Sequence, residues 1–195
     1  MIRGMKVVLH VCCGPCASAC VPALRDLGDE VALFFSNSNI DTEAEFEKRL
    51  DNARKLAEAD GVELVADTYD HADWYENVAK GFEDAPEKGA RCARCFRYSL
   101  ARTAAWAAEH GYEAFTTSLT VSPHKVSPMV FEAGADAAWG VSAKDCGGSA
   151  AAAPNFLPVD FKKKDGFLRS VRRAEELGLY RQSYCGCEYS RRNMV

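Results

Sequence analysis

The chain has 195 residues, 48% of them hydrophobic and 27% charged, enough to bury one compact core, and this composition excludes disordered and collagen-like chains. No apolar run reaches the ~18–20 residues of a membrane span, and the start MIRGMKVVLHVCCG lacks the apolar stretch of a secretory leader, so a soluble, cytoplasmic protein without a membrane partner is expected. The formal charge of −4 argues against a surface that is basic all over.

Lys6–Val11 is a short apolar run that predicts a buried strand. The loop Cys12-Cys13-Gly14-Pro15-Cys16 follows, then a helix over Ala17–Leu27 that Gly28 ends. Val31–Ser36 predicts a second strand. Thr42 is placed to cap a helix running to about Ala59, Asp60-Gly61 breaks it, and Val62–Ala66 predicts a third strand. Helical patterning returns near Ala72–Phe82, turn residues fill Glu83–Ala90, and a longer helix is predicted from Cys92 to His110. Ala114–Ser118 predicts a fourth strand, and Ser122-Pro123 the start of another helix. Ala150–Pro154 reads as a small-residue linker, Phe156–Phe161 as a strand and Gly166–Leu177 as a helix ended by Gly178. Strands alternating with helices predict an α/β fold, a parallel sheet flanked by helices, with residues 1–195 forming a single domain. In such sheets ligands bind beyond the carboxyl ends of the strands, where Cys12 and Cys13 fall.

Charge is unevenly placed. From Phe156 to the C-terminus there are nine Lys/Arg against five Asp/Glu, a basic segment that also holds Cys185 and Cys187. Arg91, Arg94, Arg97, Arg102 and Lys125 form a second positive stretch around Cys92 and Cys95. Both flank cysteine motifs, an arrangement suited to an anionic substrate, although charged helix faces are commonly just solvated.

Nine cysteines are many for a cytoplasmic protein, and an odd number cannot all pair internally, so metal or redox chemistry explains them better than structural disulfides. Cys92-Ala-Arg-Cys95 at a helix start puts two sulfurs on one face, within reach of one metal or cluster. A cluster of the 4Fe-4S type takes four thiolates, and Cys12-Cys13 can supply the other two if the turn at Gly14-Pro15 makes neighbouring side chains converge. Cys13-Gly14-Pro15-Cys16 also matches a thioredoxin-like dithiol between a strand and a helix N-terminus, so thiol–disulfide exchange is a competing reading. Cys185-Gly186-Cys187 could close a small strained ring that cycles readily, or could hold a metal. Cys20 is expected in the core, Cys146 is expected to be incidental, and Cys16 stays open. His10, at the end of an apolar strand, suits a satisfied buried histidine as well as a proton donor, and Ser122-Pro123-His124-Lys125 is the other polar group at the predicted carboxyl edge. There is no Walker A loop and no Gly-rich dinucleotide fingerprint.

His10-Val-Cys-Cys-Gly-Pro-Cys, Asn37-Ser-Asn-Ile, Arg91-Cys-Ala-Arg-Cys, Thr116–Lys125 and Leu179-Tyr-Arg-Gln-Ser-Tyr-Cys-Gly-Cys187 together resemble the motifs of the QueH epoxyqueuosine reductase family, in that order along most of the chain. The resemblance implies a fold similar to the nucleotide α-hydrolase (PP-loop-like) group. It implies cobalamin-independent reduction of the epoxide of epoxyqueuosine, at the wobble position of tRNA, to the cyclopentene of queuosine, the last step of queuosine synthesis. By the same resemblance Cys12, Cys13, Cys92 and Cys95 would hold a 4Fe-4S cluster. Cys185 and Cys187 would be a catalytic redox pair or, alternatively, ligands of a second iron beside the cluster. Cys20, Cys146 and the alanine-rich Ala133–Ala153 depart from the family pattern. Lys162, Lys163, Lys164, Arg172, Arg173 and Arg181 are the candidates for contacting the tRNA backbone, and His10 and Tyr184 the candidate acids. The electron donor is a further partner that the sequence does not identify.

Overall fold

The computed structural model describes residues 4–144 and 153–192. Cys146 and Ala150–Ala152 of the linker lie outside them. The described strands are β1 (Lys6–His10), β2 (Glu30–Phe35), β3 (Leu64–Ala66), β4 (Ala114–Thr117) and β5 (Asn155–Phe156). They form one sheet in the order β3-β2-β1-β4-β5, parallel throughout. The helices are α1 (Gly14–Arg25), α2 (Glu43–Asp60), α3 (His71–Trp74), α4 (Ala90–Glu109), α5 (Ser127–Lys144), α6 (Gly166–Glu176) and α7 (Glu188–Arg192). A π-type turn (Tyr75–Ala79) follows α3 and a 3₁₀ turn (Ser118–Val121) follows β4.

Alternation along the strands divides the core in two. Val7, Leu9, Val31, Leu33 and Phe35 face α1, α2 and α6, while Val8, Phe34 and Phe115 face α4 and α5. Both sheet faces are therefore covered, as an all-parallel sheet requires. Phe161, Ala174 and Leu179 of the basic C-terminal segment belong to the first of these cores. No helix among the described residues is long and apolar enough to cross a membrane.

Several predicted boundaries move, each for a local reason. The helix expected from Ala17 begins at Gly14, because the Cys13 sulfur caps it by accepting from the Cys16 amide at 3.4 Å, and Pro15 suits the first turn. The strand expected over Phe156–Phe161 shortens to Asn155–Phe156. Beyond it the carbonyls of Leu157 and Val159 accept from the Thr116 and Thr120 hydroxyls rather than from a neighbouring strand. The helix expected at Ser122-Pro123 starts at Ser127-Pro128, since residues 118–121 wind into the 3₁₀ turn and Ser122–Lys125 closes a further turn. The short α7, just after the last cysteine, was not anticipated.

The strand order reverses between β1 and β4, and their carboxyl ends form the crevice of the fold. On the β1 side, α2 presses on the cysteine loop: a Cβ at Gly14 would lie 2.5 Å from the Asn52 carbonyl oxygen, so glycine is required by the close approach of two backbones. Gly14→Ala should therefore destabilise the protein by about 1–3 kcal/mol, as overpacking does. Urea denaturation would show this as a lower midpoint, and an unchanged midpoint would mean that α1 and α2 can part at no cost.

Candidate metal centre and substrate cavity

The crevice holds a cavity of about 300 Å³ lined by residues from every cysteine motif. Cys12 and Cys16 come from the β1–α1 loop and first turn, Cys92 and Cys95 from the start of α4, and Cys185 from the segment before α7. The sulfurs of Cys12, Cys13 and Cys16 lie within 4.8 Å of one another. Cys16, which the sequence left open, thus joins the first group, whereas Cys92 and Cys95 share its cavity but not that 4.8 Å radius. All eight described cysteines are free thiols.

The loop is built to converge its sulfurs. The Cys12 amide donates to Ser118 Oγ at 3.1 Å, and that hydroxyl reaches back to the Cys12 sulfur at 3.4 Å, tying the end of β1 to the end of β4. The Cys12 thiol faces the Cys13 sulfur at 4.0 Å. Hydrogen bonds from Cys12, Cys16 and Gln182 hold Cys13 well below the ordinary thiol pKa, and the sharing of one negative charge raises Cys12 and Cys16 correspondingly. Three soft donors gathered around one stabilised thiolate fit a thiophilic metal or iron–sulfur group. Cys20 is fully buried behind them, its pKa raised by burial, and belongs to the core.

Cys185 and Cys187 part company. Cys185 faces the cavity and its sulfur accepts from Lys125 Nζ at 2.6 Å. Cys187 is buried with Trp74, Val78, Ala79 and Tyr189, where burial raises its pKa. Their turn is held by Arg49 of α2, whose Nη1 donates to the Cys185 carbonyl at 2.9 Å while its Nε donates to Glu45 at 2.7 Å. Gly186 accepts from the Asp41 amide at 3.0 Å and has φ 137°, with Asn39, Arg49 and Ile40 filling the space that a side chain would need. Arg49 was missed by sequence reasoning although a signal exists. It lies on the Phe46, Leu50, Ala53 stripe of α2, where an arginine is out of place unless it does something.

Two candidate acids are otherwise employed. His10 is buried, and its Nε2 lies 3.1 Å from the Ser36 carbonyl, which can only accept, so Nδ1 accepts from the Thr117 hydroxyl at 2.8 Å. Burial lowers its pKa to about 4, against weaker raising effects of Ser36 and Asp67. It is a neutral, satisfied histidine at physiological pH. The Tyr184 hydroxyl donates to Asp41 at 3.3 Å and accepts from Arg191 at 2.7 Å, and burial raises its pKa.

The predicted basic stretches thin out as well. Arg91 is buried with Nη1 on the carbonyls of Phe82, Glu83 and Ala85, and Arg94 reaches the Asn77 carbonyl. Arg97 pairs with Glu132 and Asp136, and Arg102 binds Asp67 through two nitrogens. Of that stretch Lys125 alone lines the cavity. Burial opposes its ammonium, yet the Cys185 sulfur, with Cys95 and Cys92 nearby, raises its pKa above the ordinary lysine value. In the C-terminal segment Arg173 turns inward to Asp60 and the Ser18 carbonyl, which removes it from the backbone-contacting set. Lys162 donates to the Lys125 carbonyl at 2.8 Å, whereas Lys163, Lys164, Arg172 and Arg181 are exposed.

A family model described as "Epoxyqueuosine reductase QueH" matches residues 7–193. The chain belongs to the QueH family. Relatives bearing that name include one from Dehalococcoides mccartyi, 36% identical over 187 residues that cover 95% of this chain and 92% of the relative. The Thermotoga maritima relative is 34% identical, covering 94% and 89%, and that of Streptococcus pyogenes serotype M1 is 34% identical, covering 95% and 70%. Among solved structures, the U34-tRNA thiolase NcsA from Methanococcus maripaludis with its [4Fe-4S] cluster superposes with a TM-score of 0.54 at 15% identity. The match covers 96% of this chain and 62% of that one. This likeness bears out the fold expected from the QueH resemblance, and nothing in the matches favours the thioredoxin-like alternative.

A pH test follows from His10. Its folded pKa is depressed, so its contribution to stability is complete above the ordinary value of 6.5 and is lost as pH falls towards about 4. Over that window the loss amounts to about 3 kcal/mol at most. The stability gap between the wild type and His10→Gln, measured by urea unfolding, should shrink steadily from pH 7 to pH 4.5, and a gap independent of pH would mean that His10 is not held neutral.

Proposed function

We propose that the protein is an epoxyqueuosine reductase, converting the epoxide of epoxyqueuosine in tRNA to the alkene of queuosine without cobalamin. The observation that carries the reading is the gathering of Cys12, Cys16, Cys92, Cys95 and Cys185, from three separated motifs, around one cavity at the switch point of the sheet, in a chain of the QueH family. Free thiols and a tRNA substrate both suit the cytoplasm.

The reaction consumes two electrons and two protons and releases the epoxide oxygen as water. Cys12, Cys13, Cys92 and Cys95 are the proposed ligands of a 4Fe-4S cluster, with Cys16 close enough to the first pair to compete for the same role. Such a cluster supplies single electrons when bound. Cys185 and Cys187 stand as separate thiols, and two thiols hold two electrons and two protons, the complement that the reaction consumes. Ligation of a second iron by this pair is the other use of the same sulfurs. Arg49 and Asp41 hold the pair's turn, and Ser118 and Gln182 hold the loop opposite.

The substrate base sits in an anticodon loop, where bases can be splayed out and received singly. Lys163, Lys164, Arg172 and Arg181 are exposed, and we assign the phosphate backbone to them, with Lys162 anchored at their inner end.

Anaerobically reconstituted protein should convert epoxyqueuosine-tRNA to queuosine-tRNA. Cys92→Ala should lose both iron and activity, while Cys187→Ser should keep iron and lose turnover. A colourless, iron-free Cys92→Ala protein that still reduces the epoxide would sink the cluster reading.

A further inference from the structure

We infer that Lys125 is the hydrogen-bond donor to the oxygen of the substrate's epoxide, a fixed cation placed where negative charge develops as the ring opens. This rests on the reaction proposed above and adds a residue to it. In the sequence Lys125 stands as one cation of a basic stretch and as the end of the Thr116–Lys125 motif.

The first ground is its position. Lys125 Nζ lies 2.6 Å from the sulfur of Cys185 and 5.5 Å from the centre of the Phe96 ring, inside the cavity that the cysteines share. An ammonium has three N–H bonds, and Cys185 engages one of them. The backbone beneath is fixed, since the Lys125 amide donates to the Ser122 carbonyl at 3.2 Å and its own carbonyl accepts from Lys162 at 2.8 Å. Phe96, Leu119, Val126 and Met129 contribute apolar wall around it. A preorganised donor against such a wall acts more strongly on developing charge than the same group would in water.

The second ground is elimination among the cations and candidate acids in and around the cavity. His10 has both ring nitrogens engaged, and Tyr184 is held between Asp41 and Arg191. Lys88 and His124 lie exposed at the cavity's edge. The neighbouring arginines are committed to carboxylates and carbonyls. Lys125 is the cation of the group whose head stands among the sulfurs, next to the residue proposed to carry reducing equivalents.

The test measures two quantities on reconstituted protein. One is kcat for epoxyqueuosine-tRNA. The other is Kd for two forms of that same tRNA, the epoxide-bearing substrate and the alkene-bearing product, which differ by the one oxygen atom. The wild type should bind the epoxide form more tightly. Lys125→Met should lower kcat by about 10²–10³-fold, the usual effect of removing a donor to developing charge. It should also make the two Kd values equal, leaving that for the alkene form unchanged. Lys125→Arg should regain part of both effects. A merely structural lysine would move both Kd values together or neither. Unchanged kcat and an unchanged Kd ratio in Lys125→Met, with iron content and thermal midpoint intact, would overturn the inference, as would equal Kd values in the wild type. If Lys125→Met fails to fold, Lys125→Arg decides: a Kd ratio between one and the wild-type value supports the inference, and an unchanged ratio overturns it. A wild type that does not reduce the epoxide would instead refute the reaction assignment, and the Kd comparison would still report on the lysine.

Discussion

The site depends on one close approach, that of α2 against the cysteine loop. With no Cβ at Gly14, the Asn52 carbonyl can sit against the first turn of α1, and that contact fixes where Cys12, Cys13 and Cys16 stand. The same helix reaches the other end of the chain. Asn52 Oδ1 accepts from the Tyr180 amide at 2.7 Å, and Arg49 grips the Cys185 carbonyl one turn earlier. Sulfurs far apart in sequence are therefore registered against a single rigid element, and a shift of α2 would move both groups together.

Around this frame part of the positive charge is spent internally. Arg49, Arg91, Arg102 and Arg173 each satisfy carbonyls or carboxylates that would otherwise be stranded in or near the core. The basic balance counted along the sequence consequently overstates what is offered to a polyanion. Two cationic features carry the proposed contacts to substrate: the exposed Lys163, Lys164, Arg172 and Arg181, and Lys125 within the cavity. The first suits a phosphate backbone reached from solvent, the second a single atom brought inside.

Much of this was legible in the residues. Apolar runs ending at Cys12 and at Ser118, with helical segments between strands, gave the parallel sheet and placed the site at its carboxyl edge. Cys12 and Cys16 of the first motif do share a cavity with Cys92 and Cys95. What escaped was set by tertiary contacts. The start of α1 moved because a sulfur, rather than a hydroxyl or carboxylate, caps it. The strand at Phe156–Phe161 was cut short because threonine hydroxyls took its carbonyls. Arg173 read as a surface cation because helical periodicity does not reveal that Asp60 stands opposite it across α1 and α2. Cys185 and Cys187 looked equivalent in sequence, and only the fold of α7 sends one into the cavity and the other into the Trp74 cluster.

The most direct test of the account is an iron anomalous-difference map from crystals grown and frozen without oxygen. Iron density inside the cavity, bonded to sulfurs of the β1–α1 loop and of α4 at once, is the predicted result. Iron held by one motif alone, with Cys92 and Cys95 unligated, would contradict the claim that the fold brings these sulfurs to a common centre.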